Sequence, residues 1–356
     1  MAEVNFSQLT ADNGAIRSLR ELLFTTTYKE SNLSALVVIK TGQKNGGKMD
    51  WLNLMSGVPA GVKSTGCEVT WSKFAPKGSE KSWAMGKYQI PIEICADEFD
   101  GTIAEYAENK GVDVDKLEGT EILDNVVLPI LDKAVREAVF RIAFFGDTNA
   151  DNFSGGGHIT DGLNLDLFNM TDGLFVKFAE IVALKPERLT AIAANAQATY
   201  AAQKSAIYAN GVATGIMDSI IADADPRIKQ NDGIFYMTDA FFNALQVDYE
   251  RQHAATMPYE VVEEGRVIAR YRGSRIVTVP EWDACINAYE NDGTKWHNPY
   301  RVVFSPRENL FVGTSDTDVF AKVDLSFDAR NRTNLLFAKS DLATNVGEDD
   351  MVQVAY

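Results

Sequence analysis

Hydrophobic and polar positions alternate most regularly near the end of the chain, from Val319 to Asp328. This period of two is typical of a half-buried β-strand. Shorter apolar runs follow over Leu335–Ala338 and Met351–Tyr356, and Asn-, Asp- and Gly-containing turns separate them. We therefore predict that the last part of the chain forms a sheet and ends inside it, serving as framework and carrying no catalytic chemistry.

A long hairpin is predicted between Cys67 and Ile94. The first arm alternates through Trp71, the segment FAPKGSEKSW supplies the loop, and the return arm alternates again from Tyr88. Arms of about a dozen residues, at about 3.3 Å per residue, reach roughly 40 Å. Because the surrounding sequence offers few partners for it, we expect this hairpin to extend away from the body of its own chain.

Lysine and aromatic residues are interleaved along the hairpin. The residues that we single out as candidate inter-subunit contacts are Trp71, Lys73, Phe74, Lys77, Lys81 and Trp83. The plain interpretation is a solvated loop, whereas exposed tryptophan on an otherwise acidic protein favours a contact surface. Since the rest of the chain is acidic, the expected partner is another copy of the same chain.

The strongest helical pattern runs from Thr120 to Phe145, where apolar residues recur every three or four positions. Pro129 predicts a kink or a fresh start, and Gly146-Asp147 ends the helix. The middle of the chain is expected to contain a helical region over Pro186–Asn210, a helix over Val212–Ala224, a strand over Gly233–Met237, an N-capped helix over Asp239–Gln252 and a hairpin around Gly273.

Composition and charge narrow the class of protein. With 356 residues, 46% of them hydrophobic, the chain is long enough for one large or two globular domains. Its net charge of −16 argues against a protein that grips nucleic acid through phosphates. No apolar stretch approaches the roughly 20 residues that span a bilayer, and the first residues do not form a secretory signal. Three widely spaced cysteines indicate a reducing compartment and no zinc site.

Candidate chemistry in the sequence is weak. Gly155–Gly157 lack the preceding strand, following helix and Lys-Ser/Thr pair of a phosphate loop. His158, His253 and His297 have no acidic or histidine partner at ligand spacing, so each is expected to be an ordinary histidine. We therefore predict no cofactor, no metal site and no enzymatic activity.

Two acidic groups leave one chemical alternative open. Asp218, Asp223 and Asp225 lie close in sequence, as do Glu348–Asp350 near the end of the chain. Carboxylate pairs serve as the acid and base of glycosidases and as metal ligands. Acidic runs are more often solvated surface or helix caps, which is the interpretation we prefer.

The order of elements and four local segments resemble the HK97-type major capsid proteins of tailed bacteriophages. RIAFFGD (Arg141–Asp147) resembles the end of their spine helix, and DGIFYMTDAFFNAL (Asp232–Leu245) the strand-to-helix entry of their axial domain. RGSRIVTVPEW (Arg272–Trp282) resembles their glycine, strand and proline step, and ENLFVGTSDTD (Glu308–Asp318) the return to the peripheral domain.

The resemblance implies an α+β protein with the HK97-type capsid fold: an N-terminal arm, an extended hairpin loop, a long spine helix with a peripheral β-sheet, and a mixed α/β axial domain. The implied boundaries are an arm over residues 1–60, an extended loop over 61–100, a peripheral domain over 101–204 and 316–356 with its spine helix at 120–148, and an axial domain over 205–315.

The function implied is self-assembly into the pentamers and hexamers of an icosahedral shell that encloses phage double-stranded DNA without sequence-specific binding. The chain is then a virion component assembled in the host cytoplasm, with no membrane. Its further partners would be separate scaffold, portal and head-completion or decoration proteins. An encapsulin-type nanocompartment shell is the first alternative, and a carboxylate-dependent hydrolase is the second.

Overall fold

The computed structural model describes residues 33–49, 81–95, 128–261, 267–316, 323–331 and 333–356. Its helices are α1 (Leu128–Phe145), α2 (Leu174–Leu184), α3 (Tyr200–Ile207), α4 (Val212–Asp223), α5 (Pro226–Gln230), α6 (Asp239–His253) and α7 (Pro280–Tyr289). Its strands are β1 (Val38–Lys40), β2 (Lys48–Met49), β3 (Lys81–Ser82), β4 (Gly86–Cys95), β5 (Leu189–Thr190), β6 (Ile234–Met237), β7 (Tyr259–Val261), β8 (Val267–Tyr271), β9 (Ser274–Thr278), β10 (Val302–Ser305), β11 (Leu310–Gly313), β12 (Val323–Asp328), β13 (Thr333–Val346) and β14 (Gln353–Ala355).

The strands form a seven-stranded sheet, a five-stranded sheet and the short pair β2–β3. The seven-stranded sheet has the order β5-β14-β10-β6-β9-β8-β7. β8 and β9 form the predicted hairpin, and its turn has φ of 46° at Arg272 and 90° at Gly273. Two consecutive residues with positive φ suit the two-residue hairpin turn that matches the twist of the flanking strands.

The core of the seven-stranded sheet is aromatic and fully buried. Phe235 on β6 and Phe304 on β10 are both inaccessible to solvent, and their rings stack with centroids 4.0 Å apart. All four residues of β10 are buried, as expected of a central strand covered on both faces. α4 and α6 contact each other beside this core. β6 and α4 confirm the predicted strand at Gly233–Met237 and the predicted helix at Val212–Ala224.

The predicted helix from Asp239 begins where expected, but its cap comes from elsewhere in the chain. Thr238 stands at the N-cap of α6 without a side-chain hydrogen bond. Asp283 of α7 accepts hydrogen bonds from the backbone N–H of Asp239 at 2.7 Å and of Ala240 at 3.1 Å. Because the first N–H groups of a helix have no partner within the helix, this carboxyl group satisfies them.

The helical prediction over Pro186–Asn210 is only partly correct. A short 3₁₀ turn covers Pro186–Arg188, the two-residue strand β5 follows, and regular helix is present only in α3. β5 pairs in parallel with β14, joining Val354 to Leu189. Thr199 then caps α3 by accepting a hydrogen bond from the N–H of Ala202. Pairing with a distant strand therefore overrides the local preference of this Ala-rich segment for helix.

α1 confirms the amphipathic pattern of the predicted spine helix over its described part. Val135, Val139 and Ile142 lie on one stripe and are at most 1% exposed. The helix ends at Phe145, and the following Gly146 lies so close to the chain that a Cβ there would be 2.3 Å from the carbonyl oxygen of Thr171. The predicted start of this helix, at residue 120, lies outside the described residues.

The five-stranded sheet is organised around β13. It has the order β1-β11-β13-β12, and β4 also pairs with β13. β13 extends over fourteen residues, far beyond the predicted Leu335–Ala338, and all ten residues of β4 pair with it. The prediction that the hairpin does not fold on its own body is therefore wrong for the return arm. The length of β13 provides a backbone partner for β4 that local sequence patterns do not reveal.

Two short connections join the two large sheets. Residues 306–309 lead from β10 to β11, and residues 347–352 lead from β13 to β14. The side-chain amide of Asn309 ties them together, since its Nδ2 donates to the carbonyl of Glu348 at 3.0 Å and its Oδ1 accepts from the N–H of Glu348 at 2.7 Å. β14 consequently pairs with β10 in the seven-stranded sheet, whereas the resemblance implies that residues 316–356 belong to the peripheral domain.

Among the described helices, none is both long enough and apolar enough to cross a bilayer.

Candidate assembly site at the hairpin base

Two of the six candidate contact residues, Lys81 and Trp83, fall in the described part of the chain. The other four, Trp71, Lys73, Phe74 and Lys77, lie outside the described residues and stay predictions. The described segment 81–95 forms the base of the hairpin: β3 pairs with β2, and β4 pairs with β13. We call residues 48–49 and 81–86 the hairpin base.

Trp83 is not exposed as predicted. Only 2% of it is accessible, and it packs in a small core with Met49, Phe311 and Ala343. Gly313 lies directly over its ring, since a Cβ there would be 2.8 Å from the ring atom Cζ3. Trp83 therefore fastens the hairpin to β11 and is not available to a neighbouring subunit. The pairing of β2 with β3 places Trp83 in this core, and no local sequence pattern reveals that pairing.

Lys81 makes an ion pair inside the chain. Its Nζ lies against the carboxylate of Asp349, in a 3₁₀ turn of the connection between β13 and β14. Both side chains are about one-quarter exposed, so the pair is partly shielded from solvent. The hairpin is thus attached to the junction of the two sheets by a charge contact in addition to the burial of Trp83.

The acidic run Glu348–Asp350 is the centre of a larger ion-pair network. Asp350 contacts Lys185 at 2.6 Å and Arg188 at 3.2 Å, between the ends of α2 and β5. Arg227 of α5 contacts Glu348 at 2.6 Å and Asp225 at 2.9 Å. The preferred prediction of solvated surface or caps is confirmed for Asp225, which caps α5 by accepting a hydrogen bond from the N–H of Arg227 at 2.8 Å. It did not anticipate the contacts of Glu348–Asp350, because their partners lie more than a hundred positions away in the sequence.

The pKa values in the network follow from these contacts. Burial disfavours the ionised form of Asp350, but hydrogen bonds and charges from Lys185 and Arg188 outweigh it and lower the pKa of that carboxyl group. The hydrogen bonds from Arg227 likewise lower the pKa of Asp225. With Lys81, the network comprises four cations and four anions, so it is electrically balanced in a strongly acidic chain.

Two of the three histidines come together in the structure. The rings of His158 and His297 stack with centroids 4.8 Å apart, and Nε2 of His158 lies 3.6 Å from the carboxylate of Glu290. Glu290 is buried and paired with Arg301. Burial, together with the charge of Arg301, lowers the pKa of His297 to about 3. Sequence spacing did not reveal this cluster, because its members come from the α1–α2 loop and the segment after α7.

Within the described ranges, no group of His, Cys, Asp and Glu side chains is arranged to hold a metal ion. Gly155 and Gly157 lie in a tight turn against Asp151, where a Cβ would come within 2.3 Å and 2.1 Å of its atoms. Close backbone packing therefore explains these two glycines.

Comparison with known proteins identifies the fold. No protein-family model matches the sequence, and no curated protein matches it significantly. A chain of Gordonia phage Cozz is similar in structure, with a TM-score of 0.55 and 11% identity over 98% of this chain and 91% of that chain. A chain of the satellite phage P4 procapsid that includes the size determination (Sid) protein has a TM-score of 0.52 and 11% identity, covering 91% and 94% of the two chains. The capsid of an empty GTA particle has a TM-score of 0.50 and 11% identity, covering 97% and 99%. The chain thus has the predicted α+β, HK97-type capsid fold.

Proposed function

We propose that this chain is a major capsid protein that self-assembles into the pentamers and hexamers of an icosahedral shell enclosing phage double-stranded DNA. The observation that carries the proposal is the fold, which is shared with phage and GTA capsid structures over more than nine-tenths of both chains. Likeness over nearly the full length leaves little of the chain for a separate catalytic domain. The function is structural, and the protein belongs to the virion.

The hairpin base supports this function by fixing where the hairpin leaves the body. The burial of Trp83, the Lys81–Asp349 ion pair and the ten-residue pairing of β4 with β13 hold it at three points. The segment beyond the base, with Trp71, Lys73, Phe74 and Lys77, then supplies cationic and aromatic side chains to a neighbour. A neighbouring copy, with its net charge of −16, is a complementary partner.

Head-to-tail contacts of this kind are heterologous, and they close into rings when the rotation between subunits closes. Each contact is modest in area, but a shell repeats it many times, so that multivalency supplies the stability. We also propose that the peripheral domain consists of α1 and the five-stranded sheet, and that the axial domain is the seven-stranded sheet including β14.

The acidity of the chain suits a container for DNA. Clustered lysine and arginine would bind phosphates and release counterions, which makes binding strong at low salt. A chain with 50 acidic and 34 basic residues is unsuited to such binding, so the genome is enclosed without strong binding through its phosphates. Separate scaffold, portal and head-completion or decoration proteins complete the proposed particle.

Electron microscopy and light scattering of the purified chain test the proposal. Closed shells, or free rings of five and six subunits, are the expected result. The matched variant deletes residues 72–79, which removes the hairpin tip but spares Lys81 and Trp83 and therefore the small core of the hairpin base. This variant is expected to remain folded and soluble without forming shells. A chain that stays monomeric at every salt and protein concentration would contradict self-assembly, and co-purified cargo protein without DNA would indicate a nanocompartment.

A further inference from the structure

The outer part of the five-stranded sheet has one buried and one exposed face. We call residues 86–95, 323–328 and 333–342 the wing; in it β13 lies between β4 and β12. Leu336 and Ala338 point to the core and are 1% exposed. Phe337, between them in sequence, points to the opposite face and is 39% exposed, which makes it one of three large hydrophobic residues in the described chain that are exposed.

The register of the strands places charges in order along this exposed face. Phe337 lies in one row with Pro91 of β4 and Asp324 of β12, both exposed. The next row towards one end contains Leu335 and the exposed Glu93. The rows towards the other end contain Lys339 with Gln89, and then Lys87 opposite Asp341.

The face therefore has an acidic end at Glu93, a middle row with Phe337, Pro91 and Asp324, and a basic end with Lys339 and Lys87. The basic end also contains Asp341, whose carboxylate accepts hydrogen bonds from the N–H of Ser315 at 2.7 Å and from the hydroxyl of Ser315 at 2.6 Å, so this end has two lysines and one carboxylate. Rows on one face of a strand are about 6.6–6.8 Å apart, so the two ends are separated by roughly 20 Å.

Such an arrangement is complementary to itself. Two copies can be placed with their exposed faces towards each other and related by a two-fold axis. This axis runs parallel to both faces and perpendicular to the strands, midway between the rows of Phe337 and Lys339. The rows of the second copy then follow in the opposite order to those of the first. Glu93 then faces Lys87 of the second copy, and Asp324 comes within reach of Lys339 of the second copy. The ring of Phe337 is covered by the alkyl chain of Lys339 and gains a cation–π contact from its ammonium group.

We propose that the exposed face of the wing docks on the same face of a second copy of this chain across a two-fold axis. The inference rests on the proposed function, because the second copy is a neighbouring subunit of the same shell. This contact is isologous, so it is of a different kind from the head-to-tail contact of the hairpin tip. It joins subunits that the rings do not join, and its small area suffices because a shell repeats it.

Charge reversal with rescue tests the proposal. Lys87→Glu alone and Glu93→Lys alone each place like charges opposite one another across the axis, and each is expected to raise the protein concentration needed for shells by about tenfold. The double variant rebuilds the pair with exchanged signs and is expected to restore assembly. Lys204→Glu changes an exposed lysine of α3, outside the wing, and serves as the control.

Removal of the apolar centre gives a second test. Phe337→Ser is expected to impair assembly, whereas Leu184→Ser, at a site that is 80% exposed on α2, is expected to leave it unchanged. Thermal denaturation of each subunit checks that folding is intact. If the wild-type chain forms shells and all the wing variants assemble equally well, the two-fold contact is wrong and the proposed function stands.

Sedimentation equilibrium can show whether the wing contact exists even if the proposed function is wrong. If the wild-type chain forms no shells but forms dimers that Lys87→Glu weakens and the double variant restores, the wing contact is supported and the proposed function is not. A wild-type chain that forms neither shells nor dimers overturns both. A shell in which Phe337 is covered by a different protein overturns the contact with a second copy.

Discussion

The seven-stranded sheet and the wing both consist of β-strands, but their strands differ in how many residues are buried. In the seven-stranded sheet, β10 is buried at every position and β6 at three of four positions, so helices and neighbouring strands cover both faces. In the wing, burial alternates along β13 and one face stays accessible at Phe337. The comparison indicates that the first region buries more of its strands, whereas the second leaves one face accessible for the proposed contact with a second copy.

The largest expected effect contrasts two phenylalanines. Phe304→Ala removes a fully buried ring that stacks on Phe235, and it is expected to cost about 3–5 kcal/mol of unfolding free energy. Phe337→Ala in the wing is expected to change the same quantity by at most about 0.5 kcal/mol, as is usual for surface positions. Urea denaturation of the unassembled subunits measures both. Equal losses for the two variants would remove the distinction between the regions.

The second effect concerns a buried carboxylate of the seven-stranded region. Asp248 accepts hydrogen bonds from the N–H groups of Gly211 at 2.6 Å and Thr214 at 2.9 Å, at the start of α4. Asp248→Ala is expected to cost about 1.5–3 kcal/mol, the range for hydrogen bonds to charged groups. The exposed Asp324 of the wing is the matched control, and Asp324→Ala is expected to leave the subunit's urea midpoint unchanged.

The same carboxylate has a defined pH dependence. Burial of Asp248 opposes ionisation, but hydrogen bonds from Thr214 and Gly211 outweigh it and lower its pKa from the ordinary value of 3.8. A lowered folded pKa means that the stabilisation is complete above pH 3.8 and is lost as the pH falls through the folded pKa. The difference between wild type and Asp248→Ala should therefore shrink in acid, and a constant difference down to pH 2 would contradict this assignment.

Asp283 is expected to act with the opposite sign. Burial, with a further contribution from Asp239, raises the pKa of Asp283 to about 7. Between pH 3.8 and 7 the folded state retains a proton that the unfolded state releases, so stability falls as the pH rises through this range. Asp283→Asn cannot ionise, so its stability relative to wild type should rise as the pH increases from 4 to 8. Urea denaturation at the two pH values measures the gain, and its absence would contradict the raised pKa.

The smallest effect lies where the two regions meet. Asp349→Asn removes the ion pair with Lys81 at the hairpin base and is expected to cost about 0.5 kcal/mol, because partly exposed ion pairs contribute little. The loss should decrease at 0.5 M salt, where exposed charges are screened. Trp83→Ala at the same base removes a buried side chain and should cost several-fold more. Thermal denaturation at low and high salt distinguishes the two variants.

Local patterns in the sequence determined those elements whose partners are close in the chain. The apolar stripe of α1, the helix that begins at Val212, the hairpin at Gly273 and the alternation of β12 each depend on residues only a few positions apart. Periods of two and of about 3.6 reflect backbone geometry, so they can be read without knowledge of the fold. The resemblance of short segments added the fold class, which the structure confirms.

Tertiary structure alone decided which distant segments meet. The pairing of Gly86 with Leu342, the ion pair of Lys81 with Asp349 and the return of β14 to the seven-stranded sheet each join parts of the chain that periodicity treats as independent. The same limitation explains the error at Trp83, which falls in the loop of the predicted hairpin but is buried by the pairing of β2 with β3. A strand's period specifies that one face is buried, and only the packing of the whole chain determines what buries it.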